Sequence, residues 1–157
     1  MRGATRPRWA DEDGLAGAEA LIFGVLIFVV GTLLIVNAWG VIDAKMAASA
    51  SAREATRVLV ESPVDVAVTA LATQVVADTL VGHGKDPARV VGAPTITARR
   101  GIARCARIRV DVRYRVPTIT LPWIGGLGSG HLEVRGSHTE LVDPFRSGLS
   151  GEATCDL

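Results

Sequence analysis

The chain has 157 residues, with 17 basic and 16 acidic side chains and a formal net charge of +1. No global field therefore selects a polyanionic or polycationic partner. The length beyond its one strongly apolar stretch suffices for a single small domain with a modest core.

Residues 1–14 are polar, with Arg2, Arg6 and Arg8 ahead of Asp11, Glu12 and Asp13, and they read as a disordered or disposable leader. From Ala20 to Ile42 the chain carries no charge, a run of about 23 residues. As a helix it spans roughly 35 Å, enough for the ~30 Å hydrocarbon core of a bilayer. A lone span has to be helical, because lipid offers no partner for an open backbone N–H or C=O. We take residues 15–42 as the transmembrane helix, with Trp39 near its far border, where an indole suits the membrane–water interface. A secretory signal peptide is the rival reading, with Ala48-Ser49-Ala50 as its cleavage site. Against it stands the length of the run, well beyond the ~7–15 residues of a signal-peptide core. Lys and Arg counts on the two sides of the span are nearly tied, but the short N-terminus and bulky C-terminal part favour the domain outside.

The helical pattern continues past Ile42 through an alanine-rich stretch. Ala48, Ala52, Ala55 and Leu59 share one face, beside a polar ridge of Arg53 and Arg57. An alanine face allows close backbone approach but buries little area, so it suits packing against other helices or a sheet. We expect one continuous helix of about 45 residues, half in lipid and half outside. Ser62-Pro63 should end it and start a second helix, Pro63 to Leu80, with Ser62 as N-cap and Asp65 near the positive end of the dipole. Gly82-His83-Gly84 should end that helix. Residues 43–81 thus form the extracytoplasmic helices.

Residues 82–147 read as a small antiparallel sheet domain. Pro94 to Arg100 alternates briefly, and Ala106 to Val116 alternates cleanly. In the second strand Ile108, Val110, Val112, Tyr114 and Val116 take the inner face, and Arg107, Arg109, Asp111, Arg113 and Arg115 the wet one. His131 to Val142 should be its partner, with Leu132 and Val134 inward. Between them Trp123, Ile124 and Leu127 sit among glycines and prolines, in a linker that either folds back over the sheet or dips into lipid or a partner. Residues 148–157 form a polar tail. The fold class is α+β: a long N-terminal transmembrane helix continuing outside the membrane, a second helix, then a small antiparallel β-sheet.

Seven arginines fall between Arg99 and Arg115 against one acid. Aromatic side chains for base stacking are missing from that face, so we read it as a solvated strand face and expect no nucleic acid. His83, His131 and His138 show no metal-ligand spacing, and no constellation points to catalysis or to a cofactor. Cys105 and Cys155 both lie on the proposed outer side, where an oxidising compartment permits a disulfide. Two unpaired thiols are the alternative.

Glu19 is the most informative side chain. An ionised carboxylate at the bilayer centre costs about 2.5–3.5 kcal/mol on insertion scales, and less near the edge. It either marks the headgroup level or pairs with a cation. Cleavage after Gly14 would place a new α-amine on Leu15, at i to the i+4 position of Glu19 and on the same helix face. Amine and carboxylate would then neutralise each other within a subunit or between neighbours.

Gly14 followed by Leu15-Ala16-Gly17-Ala18-Glu19 and a long apolar helix resembles the processing and assembly signal of type IV pilin-like proteins. The alanine-rich continuation with Ala52-Arg53-Glu54-Ala55-Thr56-Arg57, the IRVDVRYRV strand and the final Glu140-Leu141-Val142-Asp143-Pro144 resemble the TadE-like minor pseudopilins of tight-adherence (Flp-type) pilus systems. The resemblance implies that a membrane prepilin peptidase cuts between Gly14 and Leu15. It implies that the mature chain joins other pilin-like subunits and a pilus assembly platform through its N-terminal helix, with Glu19 setting register. Ala20 after Glu19, in place of the tyrosine of the much shorter major pilins, favours a minor subunit. A single-span anchor carrying an extracytoplasmic binding domain, without a pilus role, is the other reading.

Overall fold

The computed structural model describes residues 13–63, 67–98, 101–117, 132–152 and 154–155, with the side chains of 13–18 outside that set. The elements in order are helix α1 (Asp13–Glu61), helix α2 (Val68–Gly82), a 3-10 turn (Pro87–Arg89) and strands β1 (Thr95–Ala98), β2 (Arg107–Val116) and β3 (Leu132–Leu141). The sheet has three strands in the order β1-β2-β3, both pairs antiparallel. The fold is therefore α+β, as the patterning implies. The chain forms two compact units, one ending at Ala38 and one running from Trp39 to Leu157.

In the first unit, the side chains from Leu21 to Val36 that face outward are large and apolar, and the apolar window of the helix has none of its surface buried. Its polar side chains turn back on the helix: Thr32 Oγ1 donates to the Phe28 carbonyl at 2.8 Å, and Asn37 Nδ2 to the Leu33 carbonyl at 2.9 Å. Such i to i−4 bonds satisfy a hydroxyl and an amide without water. Length and composition suit this helix to cross a membrane near the N-terminus.

In the second unit, α1 buries Ala44, Ala47, Ala48, Ala52, Ala55 and Leu59, the expected alanine face extended by two positions. Ser51 and Thr56 lie within this buried surface, and their hydroxyls donate to the Ala47 and Ala52 carbonyls. Small side chains let α1 approach the sheet at backbone distance. At Gly136 of β3 a Cβ would stand 2.2 Å from the Ala48 carbonyl oxygen. The bulk of the core comes from Leu59, Leu80, Ile108, Val110, Val112 and Tyr114. Full burial of each large apolar side chain stabilises by about 1.5–3 kcal/mol.

Four expectations need correction. The second helix begins at Val68, not Pro63, and its N-cap is Ala67 with no side-chain cap. Ser62 does not cap it: its hydroxyl donates backwards to the Leu59 carbonyl at 2.9 Å and helps finish α1. A serine at a helix–helix junction can serve either end, and here the nearer carbonyl wins. Asp65 lies outside the described residues. Asp111 is 6 % exposed, although it shares the wet face of β2. Leu132 is 48 % exposed, although its register opposite Val116 puts it on the inward side, because it is the first residue of β3. Apart from these corrections, residues 149 and 150 are held to the domain, with Leu149 buried and the Arg104 N–H donating to the Ser150 carbonyl at 2.9 Å.

α2 ends as expected of Gly82-His83-Gly84. Gly84 has φ of +67°, its N–H reaches the Val81 carbonyl, and the Lys85 N–H reaches the Leu80 carbonyl. Both bonds occupy last-turn carbonyls that would otherwise lack partners. The end of α1 is closed from a distance. Arg146 donates to the carbonyls of Val60, Glu61 (2.7 Å) and Ser62 (2.6 Å), placing a cation at the negative end of the helix dipole. The expected linker tip at Trp123, Ile124 and Leu127, and His131, lie outside the described residues, as does the expected leader up to residue 12. Asp13 and Gly14, counted in that leader, are already helical.

Candidate functional site

The first candidate is the head of α1. Gly14 and Leu15 lie in its opening turn, and Glu19 follows one turn later with its side chain exposed. Helical geometry puts positions 15 and 19 on one face. Downstream of Glu19 the next charged residue is Asp43, so this carboxylate marks the N-terminal border of an exposed apolar run.

The second candidate is the outer face of the sheet. Arg107, Arg109, Arg113 and Arg115 alternate along β2 and are exposed, and β3 adds Glu133 and Arg135 to the same face. The register sets Arg113 against Arg135 and Arg115 against Glu133. Asp111 sits beneath this layer and accepts from Arg109 Nε at 3.0 Å, Arg109 Nη2 at 3.1 Å and Arg135 Nε at 3.1 Å. The hydrogen bond from Arg109 holds the Asp111 carboxyl below its ordinary range; burial opposes this, and Arg135 adds to it. The same contact raises Arg109. Asp111 thus ties β2 to β3 and consumes part of the positive charge that makes this face look like a polyanion site in sequence. The Arg115–Glu133 pair, at 3.9 Å and open to solvent, contributes little.

The third feature is covalent. Cys105 and Cys155 form a disulfide with Cα atoms 5.3 Å apart and a sequence separation of 50. Cys105 has φ of +60°, unusual for a residue with a side chain, and its N–H donates to the Val142 carbonyl. The bridge and that bond fix the C-terminal segment beside the start of β2.

The two described histidines, His83 and His138, lie on separate elements. His83 closes α2 and His138 lies half-buried on β3 opposite Val110. Among the described residues there is no group of three or more His, Cys, Asp or Glu side chains placed to hold a metal ion. Sequence reasoning missed Gly136, Arg146 and the burial of Asp111. A glycine inside a strand is a signal of close backbone approach, and a lone acid in a run of arginines is a signal of a shared counter-ion. Compared with known proteins, the chain matches no family model, no curated protein and no solved structure.

Proposed function

We propose that the protein is a minor pseudopilin-like structural component of a tight-adherence pilus or a related secretion machine, working without catalysis. It is cut after Gly14 and assembled through its N-terminal helix, with the small disulfide-closed domain outside the membrane. The observation that carries this reading is Glu19, an exposed carboxylate at the head of an unburied apolar helix and one turn from Leu15. An unpaired carboxylate resists entry into an apolar helix bundle, whereas one neutralised by the Leu15 α-amine enters it, so pairing sets the register of the subunit. The disulfide supports an oxidising location for the domain.

N-terminal sequencing of the membrane-extracted protein tests the reading. A start at Leu15 supports it, and a start at Ser51 indicates a secreted domain instead. An intact Met1 leaves a single-span anchor with an extracytoplasmic domain, the second reading, which is favoured by Asp13, Gly14 and Leu15 already lying within α1. Glu19→Ala should still insert in the membrane but fail to co-purify with pilin-like subunits; normal association of that variant sinks the pairing idea.

A further inference from the structure

Exposed apolar side chains of the second unit gather at one end of it. Among its described residues the large ones are Trp39, Ile42, Met46, Val81, Leu132 and Phe145. Trp39, Ile42 and Met46 recur at helical spacing on α1 and share the face opposite the buried Ala44, Ala47 and Ala48. Gly40 and Ala44 of α1, Gly84 and Lys85 after α2, and Tyr114 and Val116 of β2 line one cleft, so these elements reach the same level. Val81 belongs to that level, since its carbonyl accepts from the Gly84 N–H at 2.9 Å, and Leu132 joins it through its register opposite Val116. Phe145 stands elsewhere, next to the Arg146 that closes the far end of α1. Exposed apolar residues scattered singly need no account, but a group drawn to one end from α1, α2 and β3 marks a contact surface.

What meets that end follows from its place on α1. Trp39 and Ile42 are part of the uncharged run itself, so this surface adjoins whatever the run enters. The two charged residues that follow the run are both engaged within the domain. Asp43 pairs with Lys85, and Lys45 Nζ donates to the Arg135 carbonyl. Charged groups close to lipid pair in these two ways, with one another or with backbone carbonyls. Met46 lies roughly 6 Å beyond Ile42 along the helix, and Arg53, the next charged residue of α1, roughly 16 Å beyond it. The headgroup region is roughly 5–7 Å deep on each side of the hydrocarbon core. Met46 therefore falls within that layer and Arg53 in water, and the Trp39 indole suits the same layer. We propose that this end of the domain is seated in the interface of the bilayer that α1 crosses, with Trp39, Ile42, Met46, Val81 and Leu132 against lipid. The inference rests on α1 spanning a membrane, which both readings of the function share, and not on the pilus assignment.

The test places a fluorescent label on the full chain in phosphatidylcholine vesicles, one position at a time. Cys105 and Cys155 are bonded to each other and are the only cysteines, so an introduced thiol labels alone. Met46→Cys and Val81→Cys probe the seated end, and Phe145→Cys the far one. All three side chains are exposed, so none of the substitutions opens the core. Nitroxide carried near the lipid headgroup should quench the labels at 46 and 81. Aqueous iodide should quench those two several-fold less than the label at 145. If either label matches the one at 145, the proposal is overturned. Protection of both from lipid nitroxide and iodide alike also overturns it, since a protein surface or a second copy then covers this end. Alkaline carbonate washing of native membranes reads the span separately. Release of the parent protein defeats the membrane reading, whereas a retained protein with water-exposed labels defeats the seating alone.

Discussion

Gly136→Ala adds one methyl group where β3 meets the backbone of α1. Its Cβ would stand 2.2 Å from the Ala48 carbonyl oxygen, 2.3 Å from the Ala48 carbonyl carbon and 2.5 Å from the Ser49 nitrogen. Contact between non-bonded heavy atoms is favourable only near 3.5–4.0 Å, so the overlap exceeds about 1 Å. All three opposing atoms are helix backbone, and no rotamer change relieves the clash. Either β3 or α1 has to move, and β3 is held to β2 through Val112 opposite Gly136. Overpacking typically costs about 1–3 kcal/mol, occasionally more. With an immovable neighbour we expect the upper end, about 3 kcal/mol, or a drop in Tm of roughly 10 °C for a domain of this size. Thermal unfolding of the full chain in micelles, followed by circular dichroism, measures it. Gly82→Ala is the control, because a Cβ there meets nothing within 4 Å. A Gly136→Ala protein melting within about 2 °C of the parent, on the same scale, would refute the claim that α1 and β3 pack backbone to backbone.

Three further outcomes follow from other contacts. Arg146→Ala removes the donors to the carbonyls of Val60, Glu61 and Ser62, and should cost about 1–3 kcal/mol in denaturant unfolding, with Arg146→Lys recovering part of it. Replacing Cys105 and Cys155 by alanine opens a loop of 50 residues and should destabilise by about 4 kcal/mol on the chain-entropy model, with a matching loss when the parent is unfolded under reducing conditions. Asp111 has its folded pKa lowered by Arg109, so its contribution is complete above the unfolded aspartate value of about 3.9 and is lost as pH falls through the lower folded value. Stability measured from pH 6 downward should therefore fall less steeply in Asp111→Asn than in the parent; parallel slopes would count against the ion-pair account.

Periodicity is a local property, and what it governs was legible in the residues alone. The uncharged run from Ala20 to Ile42 names an element, and the alanine face of α1 and the alternation from Ile108 to Val116 each name an element and the side it buries. Gly82-His83-Gly84 likewise named its own stop, since a helix terminates through bonds within a few residues. The tertiary structure decided whatever depends on atoms distant in the chain. Asp111 is buried because register brings Arg135 from another strand beside it, and the Ser62 hydroxyl turns back to the Leu59 carbonyl while α2 starts only at Val68. Arg146 closes a helix some 85 residues earlier in the chain. Tyr114 sits on the inward face that alternation assigns it, but that it lines a cleft together with Gly40 and Ala44 of α1 depends on how the helix packs on the sheet. Alternation can say which way a side chain points; only the packing of one element on another determines what it meets there.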